Sequence, residues 1–590
     1  MECAPVCSAG RDRATADDNE SVCLDLLDLC NITFQEGIGM TDKTERKKTR
    51  QEKKEKELRE NREHWLAEEE KITELWERAY NPGGQKQIDR LTKQGKKPVR
   101  QLIQQLIDPG TAFFELSRGA GFGIDYDVVD EPTMDVPSGG LATGLGKVHG
   151  NWVMVIANDS RVKAGAYYPI SCKKHLRAQE IAERCGVPCV YIADSAGGFL
   201  PMQDRIFPGR NQFGHFFYNM CRMSARGLKQ YTLSTGGNTA GGAYIVYLAC
   251  ESIMIDHMSF SFLGGPPMVK SAIGEEVTME ELGGAAVHTK ISGGADHFVR
   301  SQNEGIEKLR ELLSYDPKQK LYIERRETKD PKVPIERLYE VLPKDTYRGI
   351  NIREVIACLA DGSEFVEYKR NYNPGRGDNI VCGKMHLKGI PVGIIASNGN
   401  GVIYVDAARK AIEWGIRCCN EKIPVLYIQN SPGYMVGRKE EYAGIGKYGS
   451  GMVRVAACMD VPKIQWILGP DHGAANFGMC GRTYDPDFIF GTMRARTTVL
   501  AGRTAGNILT TLARVNAKKA GNEMDEDAAA AYKQKMIDKY EKEGHPFYTE
   551  ARLFQDGTIP LKDSRDVLAT AFEVTLLQPV RESNFGNFKF

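Results

Sequence analysis

The sequence predicts an α/β protein built from two copies of one unit, each a mostly parallel sheet covered by helices. Three observations predict it. Several segments recur in order at nearly constant spacing. Apolar strand-like runs alternate with amphipathic helix-like runs. In each copy one strand runs into a helix through a cluster of small residues.

The first repeated element is 108–115 (DPGTAFFE), echoed by 361–367 (DGSEFVE). The second is 146–157 (GKVHGNWVMVIA), echoed by 383–396 (GKMHLKGIPVGIIA). Each reads as a strand, a tight turn at Gly150 or Gly389, and an apolar strand. Helices are expected over 173–184 and 407–420, each followed by an apolar strand with proline near its start, 187–194 (VPCVYIAD) and 423–430 (IPVLYIQN). Those strands enter the loops 195–198 (SAGG) and 431–433 (SPG). Gly146 and Gly383 are 237 residues apart, Val187 and Ile423 236. Chance similarity would not hold that register over so many elements.

The third repeated element carries the chemistry. The strand 230–234 runs into 235–244 (TGGNTAGGAY), with an apolar helix expected over 245–250. The strand 463–468 runs into 469–477 (GPDHGAANF). Without bulky side chains, backbone N–H groups at a strand-to-helix turn can touch a ligand, and the helix N-terminus adds partial positive charge. Such amides suit an oxyanion formed during reaction. Two of them, one per copy, suit a reaction with two oxyanions.

Around these elements the sequence divides into a preceding extension over 1–39, expected to be disordered or foreign to the natural start at Met40, and a charged helical segment over 40–100. The two units follow, over 101–340 and 341–590. The boundary is placed among Pro331, Pro334 and Pro343, and a further helix over 523–542 is expected on the outside of the second unit. The Lys/Glu/Arg run over 44–62 has many i,i+4 opposite-charge pairs and reads as a solvated helix.

Composition narrows the function. Among 590 residues the net charge is +1, which excludes a dedicated nucleic-acid binder. No run approaches the ~20 apolar residues that cross a bilayer, so no direct membrane insertion is expected. The 15 cysteines form no paired CxxC motif and read as reduced thiols of a cytoplasmic protein. There is no phosphate-binding G-x-x-x-x-G-K-[ST] loop, no dinucleotide fingerprint and no G-x-S-x-G elbow. His288 and His297 are too far apart for one helical face, and no metal is expected on this chain. His472, in the second turn, reads as a proton donor or as a positioning residue. Lys173, Lys174 and Arg177 lie on one helix, as a solvated face or as contacts to phosphates.

At these residues the sequence resembles the carboxyltransferase family of biotin-dependent acyl-CoA carboxylases, whose β subunits of the methylcrotonyl-CoA carboxylase kind are most similar. The motifs are 173–182 (KKHLRAQEIA), 213–219 (FGHFFYN), 263–270 (LGGPPMVK) with 274–277 (GEEV), 429–430 (QN), 433–438 (GYMVGR) and 476–482 (NFGMCGR). The resemblance covers about 101–590. It implies two crotonase-like domains per chain and a homo-oligomer, usually a hexamer. It implies an acyl-CoA thioester on the first domain, with carboxybiotin, delivered on a separate carrier, entering against the second domain of a neighbouring chain. A biotin carboxylase and biotin carrier subunit would be the partners.

Carried over residue by residue, the amides of Gly241 and Gly242 would hold the acyl-CoA enolate. Those of Ala474 and Ala475, beside Gly473, would hold the ureido oxygen. Ala240, Ala243 and Lys173 fall on the acyl-CoA side, and His472, Asn476 and Phe477 on the biotin side. The resemblance implies that CO₂ is released into a closed site, that the ureido anion removes the acyl-CoA proton, and that the new enolate attacks CO₂. The segments 236–239 and 195–203 and the residue His472 depart from the family pattern where the acyl group or biotin would be touched, which leaves the substrate open. Two alternatives remain at this level. One is a glutaconyl-CoA decarboxylase α subunit, running the chemistry backwards. The other is a non-catalytic scaffold of crotonase fold.

Overall fold

The computed structural model describes residues 25–124 and 135–589, with side chains from residue 47 onward. A helix over Asp25–Tyr80 opens the described chain. The expected extension over 1–39 lies outside the described residues as far as residue 24, and the helix runs through Met40. Contacts divide the chain into a unit ending at Glu60 and a compact unit, Asn61–Phe590, that holds both sheets. In the first unit, residues 47–56 are exposed and carry the alternating charges of a solvated helix. In the second, Trp65, Ile72, Leu75 and Ala79 are buried, and the Trp65 indole donates to the Leu342 carbonyl at 2.8 Å.

The duplication is complete at the level of topology. The first sheet has β1 (Phe114–Leu116), β2 (Leu141–Val148), β3 (Asn151–Asn158), β4 (Cys189–Ser195), β5 (Gln230–Thr239), β6 (Glu251–Ile255), β7 (Phe260–Phe262) and β8 (His297–Val299). Its order is β1-β2-β3-β4-β5-β6-β8, with β7 beside β5. The second has β9 (Val366–Tyr368), β10 (Ile380–Leu387), β11 (Ile390–Ser397), β12 (Val425–Ser431), β13 (Lys463–His472), β14 (Phe488–Gly491), β15 (Arg496–Thr498) and β16 (Gly557–Thr558). Read from β9, its order is β9-β10-β11-β12-β13-β14-β16, with β15 beside β13. The first three strands of each sheet pair antiparallel and the rest parallel.

The strands are apolar throughout because both faces are covered. In β3, Val153 and Val155 enter one core with the helices Val99–Leu106 and Gln302–Ser314, while Met154 and Ile156 enter another. In β12, Val425 and Tyr427 pack under Val405–Asn420 and Ile445–Cys458, while Leu426 and Ile428 point the other way. This is the two-residue period of a pleated strand. The faces pointing the other way share one core, with Leu145, Met154 and Tyr191 from the first sheet and Met385, Leu426 and Trp466 from the second.

Expected helices appear as Pro169–Cys185, Val405–Asn420 and Glu526–Gly544, the last packing on Gly502–Lys519. The boundaries at the two turns differ from expectation, and the helix expected over 245–250 begins earlier and ends sooner, as Gly241–Tyr247. The glycines at 236 and 237 and the segment 469–472 belong to strands, not to the turns. β5 and β13 continue past a bulge, where two residues of β4 or β12 span four of the neighbour, and then pair with β7 or β15. The turns therefore begin at Ala240 and Gly473.

Candidate active site

Each turn follows its bulged strand. Ala240 has φ 53° and ψ −120°, Gly473 φ 56° and ψ −139°. They stand 233 residues apart, and each is the last residue before a short helix, Gly241–Tyr247 or Ala474–Gly478. The backbone reverses there in a conformation that glycine adopts freely and alanine does not. The Ala240 N–H donates to Phe262 of β7 and the Gly473 N–H to Thr498 of β15, which pins both turns to equivalent strands. In the helices the first amides with a backbone partner are those of Ala243 and Asn476, which return to Ala240 and Gly473. The N–H groups of Gly241, Gly242, Ala474 and Ala475 have no hydrogen-bond partner among the described residues. Each turn thus offers two adjacent donors at a helix start, the arrangement an oxyanion requires.

The sequence-derived residues fall into three places. Ala240, Gly241, Gly242 and Ala243 form the first turn, with Gly241 half-exposed and Gly242 buried. Gly473, Ala474, Ala475, Asn476 and Phe477 form the second, with Ala474 exposed and Ala475 buried. Lys173 lies elsewhere, lining a cleft of about 1310 Å³ between the halves with Arg210, Arg482 and Arg581; none of the turn residues lines that cleft. Its ammonium donates to the Arg552 carbonyl. Burial of its stem and the guanidiniums of Arg482 and Arg552 hold it down at about 8.

Glycine is required at 241 for a specific reason. A Cβ there would stand 2.0 Å from the Phe213 ring. Phe213 sits edge-on to Tyr167 and Phe216 in a buried aromatic cluster that includes His175. At 242 a Cβ would come 3.2 Å from the Ser195 carbonyl, a smaller conflict. The second turn tolerates real alanines at the equivalent positions 474 and 475.

His472 is a strand residue, 5% exposed, and burial holds its imidazole down at about 4. The Thr498 hydroxyl donates to the Leu500 carbonyl at 2.6 Å, so it must accept from His472 Nδ1 at 2.9 Å. That places the proton on Nδ1 and leaves His472 neutral. Of the two roles expected for it, the geometry favours positioning, since at neutral pH its single ring proton is already donated to Thr498. A cavity of about 10 Å³ beside it, room for one water, is lined by Tyr347, Arg496 and Glu541 among others.

Lys174 and Arg177 do not face solvent. The Lys174 ammonium donates to the carbonyls of Ser117, Ser138 and Leu141 and to the Ser138 hydroxyl. Arg177 makes a bidentate pair with Asp556, at 2.8 Å through both Nε and Nη2. Both sew the first half together or join it to the second, and neither is free for a phosphate.

The sequence reading singles out Phe477 but not two other neighbours of the turns, Tyr244 and Asp471. Tyr244 and Phe477 occupy the same place, four residues after Ala240 and Gly473, and both are exposed beside the free amides. The 233-residue offset of the turns, three short of that earlier in the chain, would have paired them. Asp471 is fully buried and bonded across the second turn.

Comparison with known proteins identifies the family. Residues 90–588 match the carboxyl transferase domain family. The mitochondrial methylcrotonoyl-CoA carboxylase beta chain of Arabidopsis thaliana is 40% identical over 520 residues, covering 86% of this chain and 85% of that one. The biotin-dependent 3-methylcrotonyl-coenzyme A carboxylase beta1 subunit of Mycobacterium tuberculosis is 38% identical over 508 residues, covering 86% and 94%. Among solved structures, the beta subunit of P. aeruginosa geranyl-CoA carboxylase superposes with a TM-score of 0.77 at 30% identity, covering 90% of this chain and 98% of that one. With both sheets, both bulges and both turns inside the matched span, the chain belongs to the carboxyl transferase domain family.

Proposed function

We propose that this chain is the carboxyltransferase subunit of a biotin-dependent acyl-CoA carboxylase. It would transfer CO₂ from carboxybiotin to a short, α,β-unsaturated, 3-methylcrotonyl-like acyl-CoA. One observation carries the proposal: two equivalent turns each present two adjacent N–H groups with no partner among the described residues. Gly241 and Gly242 would hold the thioester oxygen as it becomes an enolate. Ala474 and Ala475 would hold the ureido oxygen. Bound there, biotin supplies the carboxyl group; the chain supplies donors already aimed where charge develops. A single such donor is worth roughly 2.7–4 kcal/mol of barrier. An α,β-unsaturated acyl group spreads the enolate charge to its γ carbon, which is the position expected to be carboxylated.

The similarity to methylcrotonoyl-CoA carboxylase β chains and to a geranyl-CoA carboxylase β subunit favours an unsaturated branched acyl group. Biotin would arrive on a separate biotin carboxylase and carrier subunit, and the chain would work as a homo-oligomer, a hexamer on the family pattern. We place it in a reducing compartment, since free Cys172, Cys185, Cys189, Cys382 and Cys418 are buried; the cytoplasm and the mitochondrial matrix both qualify.

The test is the purified complex supplied with ATP and bicarbonate and given a panel of saturated and unsaturated acyl-CoAs. Carboxylation of a short branched enoyl-CoA is expected, and Gly241→Val, which presses on the Phe213 ring and displaces the first pair of amides, should abolish it. Turnover only in the decarboxylating direction would favour the decarboxylase alternative. No turnover with any acyl-CoA would favour the scaffold.

A further inference from the structure

The two turns share a plan but are fastened differently. The first is held by packing: Phe213 lies against Gly241, and Gly242 nests on Ser195. At its strand residue two before the turn, Asn238, the side chain bonds only within its own strand, to the Ser234 hydroxyl and the Gly236 carbonyl. The second turn has Asp471 at the position of Asn238. Its carboxylate accepts from Asn476 Nδ2 at 2.8 Å, from Gln429 Nε2 at 2.9 Å and from the Thr497 hydroxyl at 3.0 Å. The Asn476 bond spans the turn itself, closing a ring around residues 471–476 that contains Ala474 and Ala475. The other two tie that ring to β12 and β15.

Asp471 is 0% exposed and has no ion-pair partner among the described residues. A buried carboxylate without a cation is costly unless donors surround it. Here three donors converge on its two oxygens and offset part of that cost, while burial still holds the carboxyl above the usual range. The first half achieves a turn of the same shape with a neutral asparagine and an alanine at 243, so the fold alone does not demand this arrangement.

We propose that Asp471 is the positioning residue of the second turn: through Asn476, Gln429 and Thr497 it fixes the direction of the Ala474 and Ala475 amides. This rests on reading those amides as the site of the ureido oxygen. It acts through the turn, not on the substrate.

The test compares Asp471→Asn, the exchanged pair Asp471→Asn with Asn476→Asp, and the milder Thr497→Val, in the assembled protein. Three quantities are read: amide hydrogen exchange of the peptide covering 473–481, kcat/KM for carboxybiotin, and the dissociation constant of the acyl-CoA. For Asp471→Asn, exchange in that peptide should rise about tenfold and kcat/KM for carboxybiotin fall at least tenfold, with acyl-CoA affinity unchanged within twofold. The exchanged pair, which restores the bond across the turn, should recover part of both losses. If Asp471→Asn does not assemble, Thr497→Val should show the same split at about threefold. Exchange unchanged within twofold, or loss of acyl-CoA affinity in step with carboxybiotin turnover, overturns the proposal. If the unaltered protein uses no carboxybiotin, the functional reading fails by itself, and the exchange arm still decides whether Asp471 braces the turn.

Discussion

At the scale of single residues, the turns show what glycine is for and where it has been dispensed with. Gly241 has no room for a side chain, while Ala474 and Ala475 carry theirs. The more telling residue is Ala240. It holds φ 53° and ψ −120°, where the second half uses glycine at 473. A non-glycine residue in such a region costs of order 1–3 kcal/mol. Glycine would remove that strain but loosen the unfolded chain by about 0.4–1 kcal/mol. The strain is the larger effect, so Ala240→Gly is expected to stabilise the protein by about 1 kcal/mol, seen as a higher midpoint of thermal unfolding. A lower midpoint would mean that the alanine methyl makes contacts worth more than the backbone strain. The strain also gives the alanine a functional sense: with fewer accessible conformations than glycine, it holds the two following amides in one direction.

At the scale of elements, the same device closes the hairpin β2–β3 and its copy β10–β11. Asp108 accepts from the His149 and Gly150 amides at 2.8 and 2.7 Å and pairs with Arg310 at 3.0 Å. Asp361 accepts from the Lys388 and Gly389 amides at 2.9 and 2.7 Å and pairs with Arg565 at 2.6 Å. The environments differ. Side-chain exposure is 20% and 23% for the first pair, against 5% and 10% for the second. Removing Asp361 takes the closest carboxylate from a buried guanidinium, which keeps the Leu359 and Lys329 carbonyls and a longer contact to Asp330, and frees two amides, so Asp361→Ala should cost about 3 kcal/mol. Asp108→Ala, beside solvent, should cost about 1–2 kcal/mol. Denaturant unfolding of the two variants checks the order; equal losses would show that burial does not set the difference. Both aspartates were legible in the sequence as parts of a repeat, because repeats report on local geometry. So were the long strands, the helices after them and the two turns. The bulge that carries β5 and β13 into the turn was not, because it is set by a third strand, β7 or β15, of only three residues. Nor were the roles of Lys174 and Arg177, read as a surface row: loops of the first half cover Lys174 and the second half covers Arg177, and one-sequence periodicity does not report what covers a polar face.

At the scale of the whole molecule, the halves are joined by buried charge as well as by the shared core. Arg177 and Asp556 form a bidentate pair in which Asp556 also accepts from the Ile489 amide, and Asp556 and Glu180 raise the Arg177 pKa against the effect of burial. Arg494, 1% exposed, donates to the carbonyls of Pro343, Thr346 and Arg348 and to the Asn430 side chain, which fastens the connecting segment onto the second sheet. Interiors this polar make stability depend on pH, and the sign follows from the histidines. Burial holds His175 at about 3, and His472 and His545 at about 4. In the unfolded chain each titrates near 6.5. Between those values the unfolded state binds more protons, so stability is complete above about pH 6.5 and is lost as pH falls toward 4. For His175 and His472 the loss at pH 5 is roughly 2 kcal/mol each. Glu69 works the other way. Burial raises it to about 7, so between 4.5 and 7 the folded state binds the extra proton, and stability from this group grows as pH falls. Burial raises the Asp471, Glu550 and Asp563 carboxyls as well and lowers the His64, His215 and His386 imidazoles, so six lowered imidazoles stand against four raised carboxyls among the described residues and leave the histidines in control. The unfolding midpoint should therefore drop from pH 7 to pH 5, with net proton uptake on unfolding measured by calorimetry at pH 5.5 in buffers of different ionisation enthalpy. His472→Asn, which keeps a donor for Thr498 and removes one titrating group, should lower that uptake by nearly one proton. A midpoint that holds or rises between pH 7 and 5, or uptake that His472→Asn leaves unchanged, would show that these imidazoles are solvated in the working protein and that the second turn is more open than its hydrogen bonds indicate.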